Sequence, residues 1–502
     1  MVFSSVTFLC LFLPVFLAMY FLVRNITYRN IILVAFSLLF YAWGEPVWIV
    51  AMLFSAATDY VCGRVIDKSS RDRDRGGSAE RGEDRGAERG EDRDRDRGAG
   101  RSADRSAERG ADRGSKIALA LSIVINLGIL TAFKYSGFII RNINFLLGAG
   151  IPAPGFNLPL GISFYTFQTL SYTIDMYRGK TTVQKNFLSF LCYVTMFPQL
   201  VAGPIVRYGD IADGLRDRKV TKRGFSAGIT RFAVGLAKKT MLANPAGAAA
   251  TALLADVSGM TTASAWLGII MFAFQIYFDF SGYSDMAIGI GKMIGFNFRE
   301  NFNYPYEARS ITDFWRRWHI SLGSFFRDYV YVPLGGNRRY QARNIALVWL
   351  LTGLWHGASW NFVFWGAYFG AALMFEKYIL RAALDRVPLL FARCYTIIVL
   401  LVGWGLFYYT DFAELAVFMK ALLFINTPLT SFLPRSILAE YLWLIVVLAA
   451  ASTSLPKRAV GYLVEIFPGS RFTEPVFAAA CTLTSLFMLV GQTYNPFLYF
   501  RF

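Results

Sequence analysis

Residues 262–296 read TASAWLGIIMFAFQIYFDFSGYSDMAIGIGKMIGF, an apolar run in which only three residues are charged. A helix that crosses a bilayer needs about 20 predominantly apolar residues, and this run is longer than that. Strands of a membrane barrel alternate in polarity, whereas this run is continuously apolar, so it predicts a helix. The fold class expected from it is all-α, a polytopic transmembrane helical protein.

Similar runs recur along the chain and predict ten to twelve membrane helices. The candidate spans are residues 5–23, 30–43, 46–64, 116–136, 158–177, 187–206, 262–296, 344–358, 359–379, 394–412, 438–454 and 472–491. Some are too short to cross a bilayer alone, and the pair 344–358 and 359–379 fits a buried or re-entrant arrangement. The run 225–255 mixes apolar residues with Arg231, Lys238 and Lys239, so we expect it at the membrane interface.

One low-complexity segment interrupts this apolar chain. Residues 71–114 hold 13 arginines and 13 acidic residues, and no apolar residue larger than alanine. Such a segment cannot form a core, so we expect a disordered cytoplasmic insert. The predicted organisation is therefore N-terminal transmembrane helices in 1–70, the insert in 71–114 and a transmembrane core in 115–502.

The basic residues outside the insert predict the orientation. The net charge of +17 lies entirely outside 71–114, in a chain that is 55% hydrophobic. Lysine and arginine collect at cytoplasmic membrane edges, so a nucleic-acid surface is not expected. Their placement predicts an outside N-terminus and a cytoplasmic location for residues 24–30, with 207–223 and 309–343 facing the cytoplasm or its membrane interface. The expected location is the inner, cytoplasmic membrane, with several crossings.

The chain has few residues that could form a metal site or a disulfide, namely five scattered cysteines and two histidines. The cysteines lie in or near apolar runs and form no CxxC pair. Neither a zinc site nor a disulfide framework is expected from this pattern, and no metal is assigned.

His356 is one of only two histidines in the chain, in LTGLWHGASW, residues 351–360. An ionisable side chain in membrane sequence is costly and is a candidate for function, and histidine exchanges a proton near neutral pH. Gly353 and Gly357 let another backbone or a substrate approach closely, while Trp355 and Trp360 are expected as bulky walls. The alternative is a buried histidine that donates a hydrogen bond between helices.

His319, the other histidine, lies in the basic stretch FWRRWHISL, residues 314–322. Trp315 and Trp318 are expected at the membrane interface, where amphipathic rings settle. His319 is either a polar partner near the path of a donor or part of a structural interfacial helix.

Carboxylates also occur inside apolar sequence. Asp279 and Asp285 lie in the run 262–296, and Asp175 lies in YTIDMYR. A charge at the centre of a membrane helix costs roughly 2.5–3.5 kcal/mol on insertion scales, so each should face the protein interior with a partner. Structural pairing, with arginine as the expected partner, is the favoured role.

Several longer motifs resemble those of the membrane-bound O-acyltransferase (MBOAT) family, and they occur in the family's order. They are Leu158–Gln168, Phe197–Ile205, Tyr277–Asp285, Asp313–His319, Tyr331–Gly336 and Leu354–Asn361. The resemblance covers nearly the whole chain except the insert. Within the family it is strongest to the bacterial membrane subunit of alginate O-acetylation, and more distant to the D-alanyl transfer protein of teichoic acids.

The resemblance implies a fold, two site residues and an activity. The fold is a ring of tilted helices around a central tunnel. The family's catalytic histidine falls on His356, and its second characteristic position falls on His319. The implied function is passage of an acetyl group from a cytoplasmic thioester donor across the membrane, for O-acetylation of an extracytoplasmic polysaccharide such as alginate. No bound cofactor is expected; acetyl-CoA or another acyl thioester is the donor substrate.

The same resemblance implies partners and leaves alternatives open. The expected partners are an extracytoplasmic acetyltransferase and a polysaccharide export complex, besides the acyl donor and the lipid bilayer. The alternatives are an acyl or glycan transporter or flippase, a D-alanyl transferase of cell-wall polymers, and a scaffold that would tolerate loss of both histidines. No internal duplication typical of transporters is evident in the sequence.

Overall fold

The computed structural model describes residues 1–84, 96–466, 473–491 and 497–498, with side chains for 1–72, 113–459, 462, 473–491 and 497–498. These residues form helices and loops and no strand, as expected. The helices are α1 Leu13–Leu22, α2 Ile26–Ala42, α3 Ile49–Asp84, α4 Asp96–Leu130, α5 Ser136–Leu147, α6 Ile162–Tyr177, α7 Phe187–Thr195, α8 Phe197–Leu200, α9 Tyr208–Arg216, α10 Lys222–Ala237, α11 Asn244–Leu254, α12 Thr262–Met293, α13 Ile311–Arg317, α14 Ile320–Phe326, α15 Gln341–His356, α16 Trp360–Phe375, α17 Arg381–Arg386, α18 Leu389–Tyr408, α19 Phe412–Leu422, α20 Phe432–Ala451, α21 Leu455–Ile466 and α22 Thr473–Val490.

Short helical turns of other types join several of these helices. The π-helical turns are Phe8–Phe12, Thr131–Tyr135, Lys238–Ala243, Arg327–Tyr331 and Glu376–Leu380, and a 3-10 turn covers Pro305–Glu307. Helices α3 and α4 run into the charged segment 71–114 from its two sides. Residues 85–95 and the side chains of 73–112 lie outside the described residues, so the expected disorder there stays a prediction.

The described helices make this a multi-pass membrane protein. Six are long and apolar enough to cross a bilayer: Ile49–Asp72, Arg113–Leu147, Thr262–Met293, Leu389–Tyr408, Phe432–Ala451 and Thr473–Val490. Two shorter apolar helices, Phe8–Leu22 and Ile26–Ala42, accompany them. Fewer described helices meet this length and hydropathy requirement than the ten to twelve spans expected from the sequence, because several apolar runs break into shorter helices. The run 187–206, for example, folds as α7 and the single turn α8.

Helix α12 is the central element of the core. One end packs in an apolar cluster with α2, α6 and α7, and the other end packs in a second cluster with α16 and α18. Its contact with α10 is made backbone to backbone. A Cβ atom on Gly235 would lie 2.6 Å from the carbonyl oxygen of Gly282, and one on Gly289 would lie 2.7 Å from that of Gly228. Only glycine permits so close a crossing.

The contact between α10, the turn that follows it and α12 carries buried ion pairs. Lys239 Nζ lies 2.5 Å from a carboxylate oxygen of Asp279, and both side chains are at most 4% exposed. Asp285 pairs with Arg231 at 2.6 Å and with Lys238 at 2.7 Å. The prediction that both carboxylates face the interior with a partner is confirmed. Lys239 does not lie at a surface as the expected interfacial placement of 225–255 implied, because it compensates a carboxylate inside the protein, whereas Arg231 and Lys238 are partly exposed. The position of this run relative to the membrane stays a prediction.

Asp175, the third carboxylate noted in the sequence, has a different partner. It accepts a hydrogen bond of 2.6 Å from the hydroxyl of Tyr329, and the structure shows no ion pair for it among the described residues. The expected arginine partner was therefore wrong at this position. Arg178, three residues on, instead donates to the backbone carbonyl of Asp328 and packs over the Tyr329 ring.

Helices α13 and α14 hold the segment around His319 inside the protein. The carboxylate of Glu376, only 3% exposed, accepts from the backbone N–H groups of Ile311 and Thr312 at 2.5 and 2.9 Å. A carboxylate at a helix N-terminus satisfies otherwise unpaired N–H groups and interacts favourably with the helix dipole. Glu376 follows α16, so this contact fixes α13 against the α15–α16 pair.

The α15–α16 pair is a tight hairpin of two 16-residue helices. A Cβ atom on Gly353 would lie 2.2 Å from the carbonyl oxygen of Phe362, and one on Gly366 would lie 2.3 Å from that of Trp349. The close approach predicted from Gly353 is therefore made by the backbone of α16. This packing fixes the end of α15, where His356 lies.

Replacing Lys239 with Ala should destabilise the protein by about 3–5 kcal/mol, because it leaves the Asp279 carboxylate buried without its cation. Thermal unfolding of the detergent-purified chain measures this loss. Lys420→Ala, at an exposed lysine of α19, is the matched control and should change little. Equal unfolding temperatures for the two variants would contradict a stabilising role of the ion pair.

Candidate active site

Both histidines contact the same tryptophan, Trp355. His356 is the last residue of α15, and His319 lies between α13 and α14 with φ 45° and ψ 53°. Their exposed fractions are 9% and 3%. The ring centroid of Trp355 lies 5.8 Å from that of His319 and 5.0 Å from that of His356. Residues separated by 37 positions, both selected from the sequence, are thus brought into one buried aromatic cluster.

Asn301 fixes the orientation of the His319 ring. Its Oδ1 lies 3.2 Å from His319 Nδ1 and also accepts from the backbone N–H and the hydroxyl of Ser321. The backbone N–H of Ser321 can only donate, so it determines that the amide oxygen of Asn301 faces His319, while Nδ2 donates to the hydroxyl of Ser284 at 3.2 Å. Since Oδ1 can only accept, Nδ1 of a neutral His319 carries the proton. Nε2 then holds a free lone pair, and it has no hydrogen-bond partner among the described residues.

His356 lines a small cavity whose other walls are almost entirely apolar. The cavity has a volume of about 20 Å³, which is enough for one water molecule. The lining residues are Ile276, Asp279, Phe280, Trp318, His356, Trp365, Trp404, Phe407 and Leu498. Nδ1 of His356 is buried with no hydrogen-bond partner in the described part of the chain. An imidazole nitrogen is thus kept available in a water-poor site.

Asp279 is the one carboxylate among the described residues that line the cavity. Its charge is compensated by Lys239, and its Oδ2 accepts from the backbone N–H of Leu498. Lys239 Nζ also lies 4.7 Å from the ring centroid of Phe497. Both carboxylate oxygens of Asp279 therefore have partners, and the contact with Leu498 places that side chain at the cavity. The role of Asp279 in the site is structural.

Lys134 supports the end of α15. It lies in the π-helical turn Thr131–Tyr135, and its ammonium group donates to the backbone carbonyls of Trp355 and His356. The last carbonyls of a helix have no partner within the helix and attract cations. Tyr135 adds a hydrogen bond of 2.8 Å to the carbonyl of Leu354. The backbone that carries His356 is therefore held from outside its own helix.

A second, larger pocket lies close to this site. Its volume is about 480 Å³. The lining residues are Arg309, Ser310, Thr312, Arg316, Tyr331, Ile345, Val348, Trp349, Leu373, Glu376, Lys377, Arg381, Leu384 and Asp385. We call it the basic pocket, since four of these residues are basic and two acidic. Trp349 on its wall lies 6.0 Å, centroid to centroid, from Trp365 on the wall of the His356 cavity. Aromatic rings therefore separate the two spaces.

An ion pair joins the two basic segments singled out in the sequence. Arg207 lies 2.8 Å from Asp328, which Arg327 also contacts at 2.7 Å. Partial burial alone would raise the pKa of Asp328, but hydrogen bonds from Arg327 and Arg207 lower it to about 2. Segments 207–223 and 309–343 thus contact each other at this ion pair, and Arg207 and Arg327 both contact the carboxylate of Asp328.

Comparison with known proteins shows the family. The family model for MBOAT, the membrane-bound O-acyltransferase family, matches residues 181–416. The probable alginate O-acetylase AlgI of Azotobacter vinelandii is 40% identical over 418 residues, which cover 81% of this chain and 75% of that protein. This chain belongs to the membrane-bound O-acyltransferase family. The all-α membrane fold class predicted from the apolar runs and the enzyme class, O-acyltransferase, implied by the motifs are thereby confirmed.

Two more distant relatives are named for peptidoglycan and for teichoic acid. A peptidoglycan O-acetyltransferase of Helicobacter pylori is 36% identical over 292 residues, covering 52% of this chain and 55% of that protein. A teichoic acid D-alanyltransferase of Bacillus subtilis is 27% identical over 237 residues, covering 44% of this chain and 60% of that protein. The more distant resemblance to D-alanyl transfer proteins is confirmed by this match.

Some aromatic residues lie elsewhere than expected for this MBOAT protein. Trp360 was expected to form a wall at His356, but it is 48% exposed and donates to Asn142 at 2.9 Å. Trp315 and Trp318 were expected at the membrane interface. Instead Trp318 is 4% exposed on the cavity wall, and Trp315 packs against Trp349 at 4.8 Å. Both rings turn inward because α13 is held against the α15–α16 hairpin.

Three residues of the site were missed in the sequence. Lys134 carried a usable signal, since it is an ionisable residue inside the apolar run 116–136. Asn301 carried none, because an asparagine in a loop is ordinary until the fold brings it to His319. Trp365 lies in an aromatic run, FVFWGAYF, where nothing distinguishes it from its neighbours.

The His319 tautomer can be tested directly, because the chain has only two histidines. In a His356→Ala variant labelled with ¹⁵N-histidine, solid-state NMR should show one neutral imidazole with the proton on Nδ1. Adding Asn301→Ala removes the acceptor and should shift the population toward the Nε2–H tautomer. A protonated Nε2 with Asn301 intact would contradict the hydrogen-bond assignment.

Proposed function

We propose that this protein transfers an acetyl group from acetyl-CoA, or another cytoplasmic acyl thioester, toward an extracytoplasmic polysaccharide such as alginate. The observation that carries the proposal is the imidazole of His356, available in a small apolar cavity of a chain that belongs to an O-acyltransferase family. The name of its 40% identical relative supports alginate as the polymer. The proposed setting is the inner membrane.

In the proposed reaction His356 acts as the general base. It takes the proton of an attacking hydroxyl while the oxygen forms a bond to the thioester carbonyl carbon. The C–S bond then breaks, and the proton passes to the departing thiolate. A transient acetyl-histidine is the alternative route within the same class. His319 is proposed as a polar partner, because its Nε2 lone pair is held open by Asn301.

The basic pocket is the proposed entrance for the donor. Arg309, Arg316, Lys377 and Arg381 on its walls suit the phosphates of a CoA thioester. The His356 cavity has room for only a very small group, which favours acetyl over longer acyl chains. The wall between the pockets, including Trp349 and Trp365, must move for the thioester arm to reach His356.

The acceptor hydroxyl is proposed to belong to an extracytoplasmic acetyltransferase partner, which then modifies the polymer within an export complex. The peptidoglycan and teichoic acid relatives make other cell-wall polymers the second candidates. A transporter needs a gradient or a transported solute, whereas an acyltransferase does not. Acetyl transfer from labelled acetyl-CoA by the protein in detergent therefore separates these two classes.

Replacing His356 with Ala should lower acetyl transfer at least about 100-fold, since loss of a general base costs 10²–10⁴ in rate. The assay follows radiolabel from acetyl-CoA into polysaccharide in membrane vesicles that contain the polymer machinery. Lys420→Ala is the control, and immunoblotting of the membranes checks that both variants are inserted. Full transfer by the His356→Ala variant would exclude this mechanism.

Replacing Arg316 and Arg381 together with Gln should raise KM for acetyl-CoA about tenfold or more and leave kcat nearly unchanged. The reason is that the pocket loses two cations that attract the donor phosphates, far from the reacting carbonyl. The matched control is Arg338→Gln, an exposed arginine of the same segment that does not line the pocket. Equal KM values for the double variant and the control would argue against donor entry here.

A further inference from the structure

Trp365 packs against His356 in the His356 cavity. It belongs to α16, is 1% exposed, and its ring centroid lies 4.9 Å from that of His356 at an interplanar angle of 77°. Both residues line the same cavity. The packing of α15 against α16 through Gly353 and Gly366 fixes this arrangement. An indole with a defined position beside the proposed base is therefore part of the site.

The indole N–H of Trp365 has no acceptor in the described part of the chain. Its Nε1 is buried and makes no hydrogen bond to any described protein atom. The same is true of Nε1 of Trp404 on the same cavity wall, but Trp365 is the one of the two whose ring contacts His356. Folded proteins rarely leave a buried donor unpaired, because the lost hydration is costly. Phe407 on the adjoining wall offers no acceptor, and the Asp279 carboxylate is occupied by Lys239 and the backbone of Leu498. The acceptor that fits is an oxygen atom that enters the cavity.

We infer that Trp365 Nε1–H donates a hydrogen bond to the carbonyl oxygen of the acyl thioester and stabilises the oxyanion formed from it. This inference rests on the proposed function. When the acceptor oxygen bonds to the carbonyl carbon, the π electrons of the C=O bond move onto its oxygen. The negative charge faces the indole donor until the C–S bond breaks and the carbonyl re-forms. A fixed donor in a water-poor site favours this charged state over the neutral ground state.

The alternative is that the Trp365 indole serves only as a wall of the cavity. An isostere that lacks the N–H group distinguishes this role from hydrogen-bond donation. 3-Benzothienylalanine keeps the bicyclic shape of tryptophan and replaces N–H with sulfur. We would introduce it at position 365 by codon suppression, with Trp365→Phe as a second variant. The matched control is the same pair of changes at Trp443, which is 67% exposed on α20.

The measurements are kcat and KM for transfer from radiolabelled acetyl-CoA in vesicles, and the Kd of acetyl-CoA for the purified full chain in detergent. Loss of one oxyanion donor typically lowers kcat 10²–10³-fold. The expected result is a fall of about 100-fold in kcat for the isostere at position 365, with KM and Kd within about twofold. The changes at Trp443 should leave all three values unchanged.

Three results would overturn the inference. A kcat within about threefold of the unsubstituted chain would show that the N–H takes no part. A parallel loss of acetyl-CoA binding would show that Trp365 shapes the pocket and does not stabilise the oxyanion. If the unsubstituted chain transferred no acetyl group, the proposed function would fail and this inference with it, whereas the first two results leave the proposed function intact.

Discussion

The buried ion pair between Lys239 and Asp279 is the constraint on which the interior of this protein depends. Neither charge has access to water, so each is tolerated only because the other lies 2.5 Å away. Asp279 is on α12, Lys239 follows α10, and the same carboxylate accepts from the backbone of Leu498. Three distant parts of the chain are thereby fixed around one point. Because the charge is neutralised there, the neighbouring cavity can otherwise be walled by apolar side chains.

The candidate site itself is built where helices end or break. His356 closes α15, and His319 occupies a left-handed residue between two seven-residue helices. Breaks of this kind expose backbone groups inside a membrane protein, and each must find a partner. Glu376 supplies acceptors for the start of α13, and Asn301 supplies one for the backbone of Ser321. The polar residues around the histidines thus stabilise the breaks that position them.

The class of fold could be predicted from the sequence, and the two histidines could be selected as candidates, because both signals are local. A continuous apolar run predicts a helix, and a rare ionisable residue within it indicates function. The partners of these residues were harder to predict, since they depend on distant parts of the chain. Lys239 looked interfacial until α12 supplied its carboxylate, and Asn301 carries no local signal at all. Trp318 was misplaced for the same reason, because amphipathic rings suit both an interface and a buried aromatic cluster.

The hydrogen bond from Lys134 to Trp355 has a consequence for biogenesis. The two residues are 221 positions apart, so the lysine leaves the ribosome and enters the bilayer well before its acceptor carbonyls are synthesised. Until then its ammonium group needs water, lipid headgroups or an insertase to solvate it. The arrival of α15 removes that need. Completion of the site therefore also gives the Lys134 ammonium group its two carbonyl acceptors.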